Sequence, residues 1–233
     1  HRAGGRNMSK RVTILICTPD QRAARFRETL DSVIQTTRRS HVRILVSDNR
    51  GDPTFHHGLE INDGIEISNA LVVLDDDVVV TGNWLGAMLR AAEAPDVALV
   101  ACSVLRGGNV SRVPIPWRRA WTCAKSGRPL RWWRDILGPV DVPAMGSCCM
   151  LHKLRNTGLR RSTEYAHYFG DPDLCFSAWE AGLRTVTVPE MIIHNEYGGK
   201  QESLQPYAMF GDSKGKLVAP DQAVFRQKWI DSG

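Results

Sequence analysis

The feature that most constrains this chain is a series of short, largely apolar runs, each closed by polar or acidic residues. Residues 12–17 (VTILIC), 42–46 (VRILV), 71–74 (LVVL) and 97–105 (VALVACSVL) are such runs. Apolar residues on successive positions suit strands buried on both faces, as in parallel sheets. Helical patterns lie between them. Residues 22–36 place Ala23, Phe26, Leu30 and Val33 on one face, and residues 83–94 do the same with Trp84, Leu85, Met88, Leu89 and Ala92. Residues 59–68 predict a shorter helix, interrupted at Gly64. Strand and helix alternate roughly as βαβ units do, so the expected fold class is α/β, with a mostly parallel Rossmann-like sheet flanked by helices.

The remainder is less regular. Residues 106–138 are rich in Gly, Pro, Arg and Trp, and long loops are expected there. Residues 140–151 read as a strand around Gly146. Residues 173–181 read as a helix stopped by Gly182, and residues 184–188 as a last strand ended by Pro189. Helix-like turns are expected near residues 222–230. Residues 1–7, ahead of Met8, read as a cloning leftover, which leaves residues 8–233 as one domain.

Composition narrows the class. With 233 residues, 42% hydrophobic and 24% charged, the chain suits a single globular domain and not a disordered one. The net charge of +5 is compatible with an anionic partner without naming it. The longest apolar runs fall short of a membrane span. Cysteines at 17, 102, 123, 148, 149 and 175 form no CxxC pair and no zinc spacing, which predicts a reduced, cytoplasmic protein.

In open α/β sheets ligands bind outside the carboxyl ends of the strands. Thr18, Asp48 and the triplet Asp75-Asp76-Asp77 all fall at such ends. Three adjacent carboxylates raise one another's pKa unless a cation binds, and hard divalent ions favour carboxylate oxygens. A solvated acidic turn before the next helix is the competing reading. Asp171, in YFGDPDL, lies at a helix start; it suits either a cap or a general base. His194 follows an apolar strand and is compatible with a structural role or with metal ligation.

Taken in order, these segments resemble family 2 of the GT-A-fold glycosyltransferases, rhamnosyltransferase-like bacterial or viral members in particular. VTILICTPDQR resembles that family's first strand and nucleotide-contacting loop, which puts Thr18 and Pro19 at the donor. ILVSDN resembles its second strand, whose terminal aspartate, here Asp48, binds the base. Asn62 falls on a nucleotide-sugar-binding segment. LVVLDDDV resembles its DxD motif. VDVPAMGSCCMLHK resembles its acceptor-side strand, with Gly146 near the donor sugar. YFGDPDLCFSAWEAG resembles its catalytic segment, with Asp171 on the base position, and VTVPEMIIH puts His194 where the metal site is often completed. DQAVFRQKW is similar to a common C-terminal element, through Phe225, Lys228 and Trp229. The chain departs from the pattern at Pro19-Asp20, at Ile61, where an arginine is common, and at Gly170-Asp171-Pro172, where an acidic residue usually precedes the base.

The resemblance implies a metal-dependent inverting glycosyltransferase, with a nucleotide-binding half over about residues 10–105 and an acceptor half over about 106–233. The donor would be a UDP- or dTDP-type nucleoside-diphosphate sugar. Mn²⁺ or Mg²⁺ would be held by Asp77 with Asp75 or His194, Asp75 or Asp76 would reach the ribose or sugar, and Asp171 would be the base. The acceptor would be a saccharide or glycoconjugate. The stretch 112–134, with Trp117, Trp121, Trp132 and Trp133 among arginines, fits a packed loop or sugar stacking, with nucleic-acid binding a minor option. A nucleic-acid acceptor, or a lipid-linked one at the inner membrane face, therefore stays open. So do a nucleotidyltransferase and a non-catalytic nucleotide-sugar-binding module.

Overall fold

The computed structural model describes residues 12–37, 42–50, 56–106, 139–142, 144–146, 148–166, 168–194 and 214–231. The first apolar run forms β1 (Val12–Thr18), followed by α1 (Ala24–Thr36), β2 (Val42–Asp48) and α2 (His57–Ile67). Next come β3 (Ala70–Asp75), β4 (Val78–Val80), α3 (Trp84–Ala91) and β5 (Val97–Arg106). β6 (Val140–Asp141), β7 (Cys149–His152), α4 (Gly170–Glu180), β8 (Arg184–His194) and α5 (Lys214–Trp229) complete the order.

The strands join in one sheet, ordered β2-β1-β3-β7-β5-β8-β4, with β6 on β8. The fold class is α/β as expected, but the sheet is mixed rather than mostly parallel. β1 pairs in parallel with β2 and β3, and β5 with β8; β7 is antiparallel to both β3 and β5, as are β4 and β6 to β8. The reason is local. β7 starts on the rim where β3 ends, with the Asp75 N–H donating to the Cys148 carbonyl at 3.0 Å. A strand entering from that rim runs back antiparallel, which needs no crossover helix.

Both faces of the sheet are covered. Ile14, Ile16, Val72 and Leu74 pack with Phe26 and Val33 of α1 and Trp84 and Met88 of α3. The opposite face, with Leu15, Leu71, Val73 and Met150, takes Ile61 and Ile65 of α2 and Leu174 and Ala178 of α4. This explains the continuous apolar runs: alternate residues of one strand serve different cores. A third cluster joins Phe169 and Phe176 of the α4 region to Phe225 and Trp229 of α5.

Five local expectations are corrected. Gly64 does not interrupt α2; the helix runs through it because a Cβ there would lie 2.8 Å from Leu71, so glycine lets α2 approach β3. Residues 140–151 are not one strand, but two short pieces that pair with different neighbours, β6 with β8 and β7 with β3 and β5. α4 begins at Gly170, ahead of the expected residue 173, behind Phe169 at φ 62°. Pro189 does not end β8. The β5–β8 register passes from Cys102↔Val188 to Ser103↔Met191, so Pro189 and Glu190 bulge out, and a bulge is where a strand tolerates a residue with no N–H. At the C-terminus, α5 is longer than the turns expected there. The loops expected over 107–138, including the 112–134 stretch, lie outside the described residues. Among the described residues, no helix is long and apolar enough to cross a membrane.

Candidate active site

The parallel strands deliver their carboxyl ends to one rim. Register pairs Thr18 with Asp48 and Cys17 with Asp75, so Asp48, Thr18 and Asp75 stand on three adjacent strand ends. Asp76 and Asp77 form the tight turn from β3 to β4. That turn is fixed by β4, which pairs with the far end of β8 and sets Val78 opposite His194. His194 Nε2 lies 3.1 Å from Asp77 Oδ1. Asp75, Asp77 and His194 thus place one ligand atom each within 4.8 Å of one another.

Three carboxylates crowd this corner. Burial, and then the Asp77 carboxylate, push Asp75 up to about 7, while His194 pulls it back. Burial raises Asp76 as well, opposed by its partners: Thr18 Oγ1 donates to Asp76 Oδ2 at 2.7 Å, and Arg25 Nε does so at 3.1 Å. A carboxylate that resists ionisation beside a second carboxylate and an imidazole is a site short of positive charge. Two oxygen donors and one nitrogen suit Mn²⁺ well, and Mg²⁺ with water completing the shell. The thiols beside it are no nucleophiles: burial, with Asp75 among the nearby charges, raises Cys17 and Cys148 above the ordinary thiol range.

Asp171 sits in the first turn of α4 and does not cap it. The N-cap is Phe169, with no side-chain capping bond, and the Asp171 carboxylate instead pairs with Arg161 Nη1. Asp171 is close enough for its charge to act on Asp75. Asn62, expected at the donor, has both ends of its amide on the Arg161 main chain: Nδ2 donates to the Arg161 carbonyl at 3.0 Å and Oδ1 accepts its N–H at 2.9 Å. Asp48 accepts from Arg50, whose Nη2 also reaches Asp20 at 2.8 Å. Pro19 follows β1 directly. Gly146 is half-buried in the segment leading into β7.

Sequence reasoning missed three groups. Arg25 on α1 supports Asp76, Arg161 supports Asp171, and Asp173 anchors the start of α4 to α5. Asp173, 2% exposed, accepts from Tyr165 Oη at 3.0 Å and Trp229 Nε1 at 2.7 Å, and pairs with Lys228 Nζ at 2.8 Å. Asp221 of α5 adds two bonds, accepting the Ala166 and Tyr168 N–H groups at 3.0 and 2.7 Å. The signal was present in DQAVFRQKW: Asp221 holds the segment before α4, while Lys228 and Trp229 reach Asp173 within its first turn.

The fold recurs in solved structures. GalNAc-T7 with UDP, GalNAc and Mn²⁺ superposes over 92% of this chain and 48% of its own, at a TM-score of 0.60 and 14% identity. The mannosyltransferase PcManGT from Pyrobaculum calidifontis, in complex with GDP-Man and Mn²⁺, superposes over 90% of this chain and 67% of its own, at a TM-score of 0.55 and 14% identity. This is the GT-A glycosyltransferase fold. The chain spans about half the length of GalNAc-T7. No family model matches it, and no curated protein matches it in sequence. At such identity the likeness concerns the fold, and the chemistry must be argued from the residues.

Proposed function

We propose that the chain is a metal-dependent glycosyltransferase that moves a sugar from a nucleoside-diphosphate donor to an acceptor hydroxyl with inversion. The observation that carries this reading is the convergence of Asp75, Asp77 and His194 on the carboxyl rim of a GT-A sheet. Both solved neighbours have nucleotide or nucleotide sugar together with Mn²⁺. Asp75, Asp77 and His194 would hold a divalent ion, which supplies Lewis-acid stabilisation of the departing diphosphate. Asp48 would bind the base, Thr18 and Pro19 would line the nucleotide, and Asp76 would reach the ribose or sugar. Asp171 would take the proton from the acceptor hydroxyl as it attacks the anomeric carbon from the face opposite the diphosphate. One displacement of that kind inverts the centre. Residues 10–105 would form the nucleotide half and residues 106–233 the acceptor half, with Gly146 beside the donor sugar.

Calorimetry with UDP and GDP, with and without Mn²⁺, tests the reading. Diphosphate affinity should rise with Mn²⁺ in the wild type and not in Asp77→Ala. Metal-independent binding in both proteins would remove Asp77 from the site.

A further inference from the structure

Arg161 belongs to no motif, yet it is the most constrained cation at the site. It is 5% exposed, between β7 and α4. Its main chain is clipped on both sides by the Asn62 amide. Its guanidinium lies across Gly170, where a Cβ would meet Nε at 2.8 Å and Nη2 at 3.0 Å. From there it pairs with Asp171, the next residue. A larger residue at 170 would occupy the space the guanidinium fills. Glycine at a helix N-terminus, an amide spent on one main chain and a buried arginine thus have one common result, a cation fixed against Asp171.

We propose that Arg161 is a positioning residue for Asp171, keeping its carboxylate ionised and in one orientation, and that Gly170 and Asn62 are the parts that put it there. The proposal rests on the reading of Asp171 as the base. An opposite charge at contact distance lowers a carboxyl pKa by about 1–3 units. Among the described residues, titratable groups near enough to feel the Asp171 charge include Asp75 of β3, Cys148 before β7, His152 of β7 and Cys175 of α4. His152 is held neutral, lowered to about 3 by burial and then by the Arg161 charge. Burial pushes Cys175 up to about 12, so it too stays neutral, and burial likewise keeps Cys148 protonated. Asp75 opposes ionisation of Asp171. The Arg161 cation is what offsets it. An ionised carboxylate costs some basicity but is ready to accept a proton at neutral pH, and a fixed orientation supplies the alignment that general-base transfer needs.

The direct test is the ¹³C NMR titration of the Asp171 carboxyl carbon in protein labelled at aspartate, its signal assigned with Asp171→Asn. Arg161→Gln should raise the titration midpoint by about one pH unit or more, and Arg161→Lys should restore part of the shift. Gly170→Ala should raise it as well, with Arg161 still present, and it carries the test should Arg161→Gln fail to fold. A midpoint unchanged in Gly170→Ala and in Arg161→Gln would overturn the proposal, as would failure of Arg161→Lys to restore any of it. Mn²⁺-dependent hydrolysis of UDP-glucose and GDP-mannose is the second readout, with the acid limb of its pH profile moving up in the same variants. Failure of the functional reading looks different: neither donor is turned over by the wild type, while the Asp171 midpoint still depends on residue 161.

Discussion

Two clusters of buried carboxylate chemistry stand close together and are built in opposite ways. At the strand rim, Asp75 and Asp77 crowd each other with a histidine as their shared neighbour, and Asp75 is driven toward its neutral form. At the α4–α5 junction, Asp173 is more deeply buried, yet a phenol, an indole and an ammonium all donate to it. Burial alone therefore does not mark a functional carboxylate. What differs is the number of donors the fold supplies. Among the described residues, the junction gives Asp173 three donors and is a fastening, whereas Asp75 and Asp77 crowd together beside His194 in a set that suits a divalent cation.

The largest expected effect is on the fastening. Asp173→Ala removes the acceptor that Tyr165 and Trp229 share and should destabilise the fold by about 3–5 kcal/mol, read from urea unfolding. If it costs less than about 1 kcal/mol, the two clusters are not different in kind. Next comes Asp171→Asn, which should lower transfer by about two orders of magnitude or more while donor affinity stays near wild type. Equal losses of binding and turnover would make Asp171 a donor ligand instead.

Asp75→Asn should do the reverse of Asp173→Ala and stabilise the metal-free protein. The sign follows from its raised pKa. Above pH 7 Asp75 is charged in both folded and unfolded chains, and the fold bears the full cost of its crowding; as pH falls through about 7 the folded form protonates first and the cost is relieved. The gain should therefore be about 2 kcal/mol at pH 8, less than the shift alone implies because water reaches the carboxylate, and close to nothing near pH 4. Thermal unfolding at the two pH values decides it, and a gain that is larger at pH 4 would reverse the assignment. The smallest effect sharpens the junction. Trp229→Phe keeps the edge-on contact with Phe176, whose ring centre is 5.3 Å away, but loses the bond to Asp173. It should cost about 1.5 kcal/mol, measurable by the same urea titration.

Much of the framework was legible because it is written in local patterns. Apolar runs located the strands and their acidic ends. The tripled aspartate and His194 were visible as separate signals, although the pairing that joins them, Val78 opposite His194, is a tertiary fact. Elsewhere local rules lost to packing. Gly64 reads as a helix breaker, yet it serves close approach to Leu71. Pro189 reads as a strand end, yet a bulge accommodates it. The support of Asp171 was illegible for a plainer reason. Arg161 and Asn62 are 99 positions apart, and neither gains meaning until the chain has folded. The unusual Gly170 was the one trace in the sequence: a missing side chain beside the expected base marks room for something else.

The bulge at Pro189 and Glu190 has a consequence for how such a site tolerates change. It sits between the portion of β8 matched to the first half of β5 and the portion that carries His194 to Asp77. Successive side chains of a strand point to opposite faces, so removing one residue of the bulge would swing the imidazole away from the carboxylates with every ligand still present in the sequence. A one-residue insertion or deletion between Val188 and Met191 would thus displace the third ligand although His194 is kept. Comparisons that score only which residues are present would count such a chain as intact, although its strand would be the wrong length to deliver the third ligand.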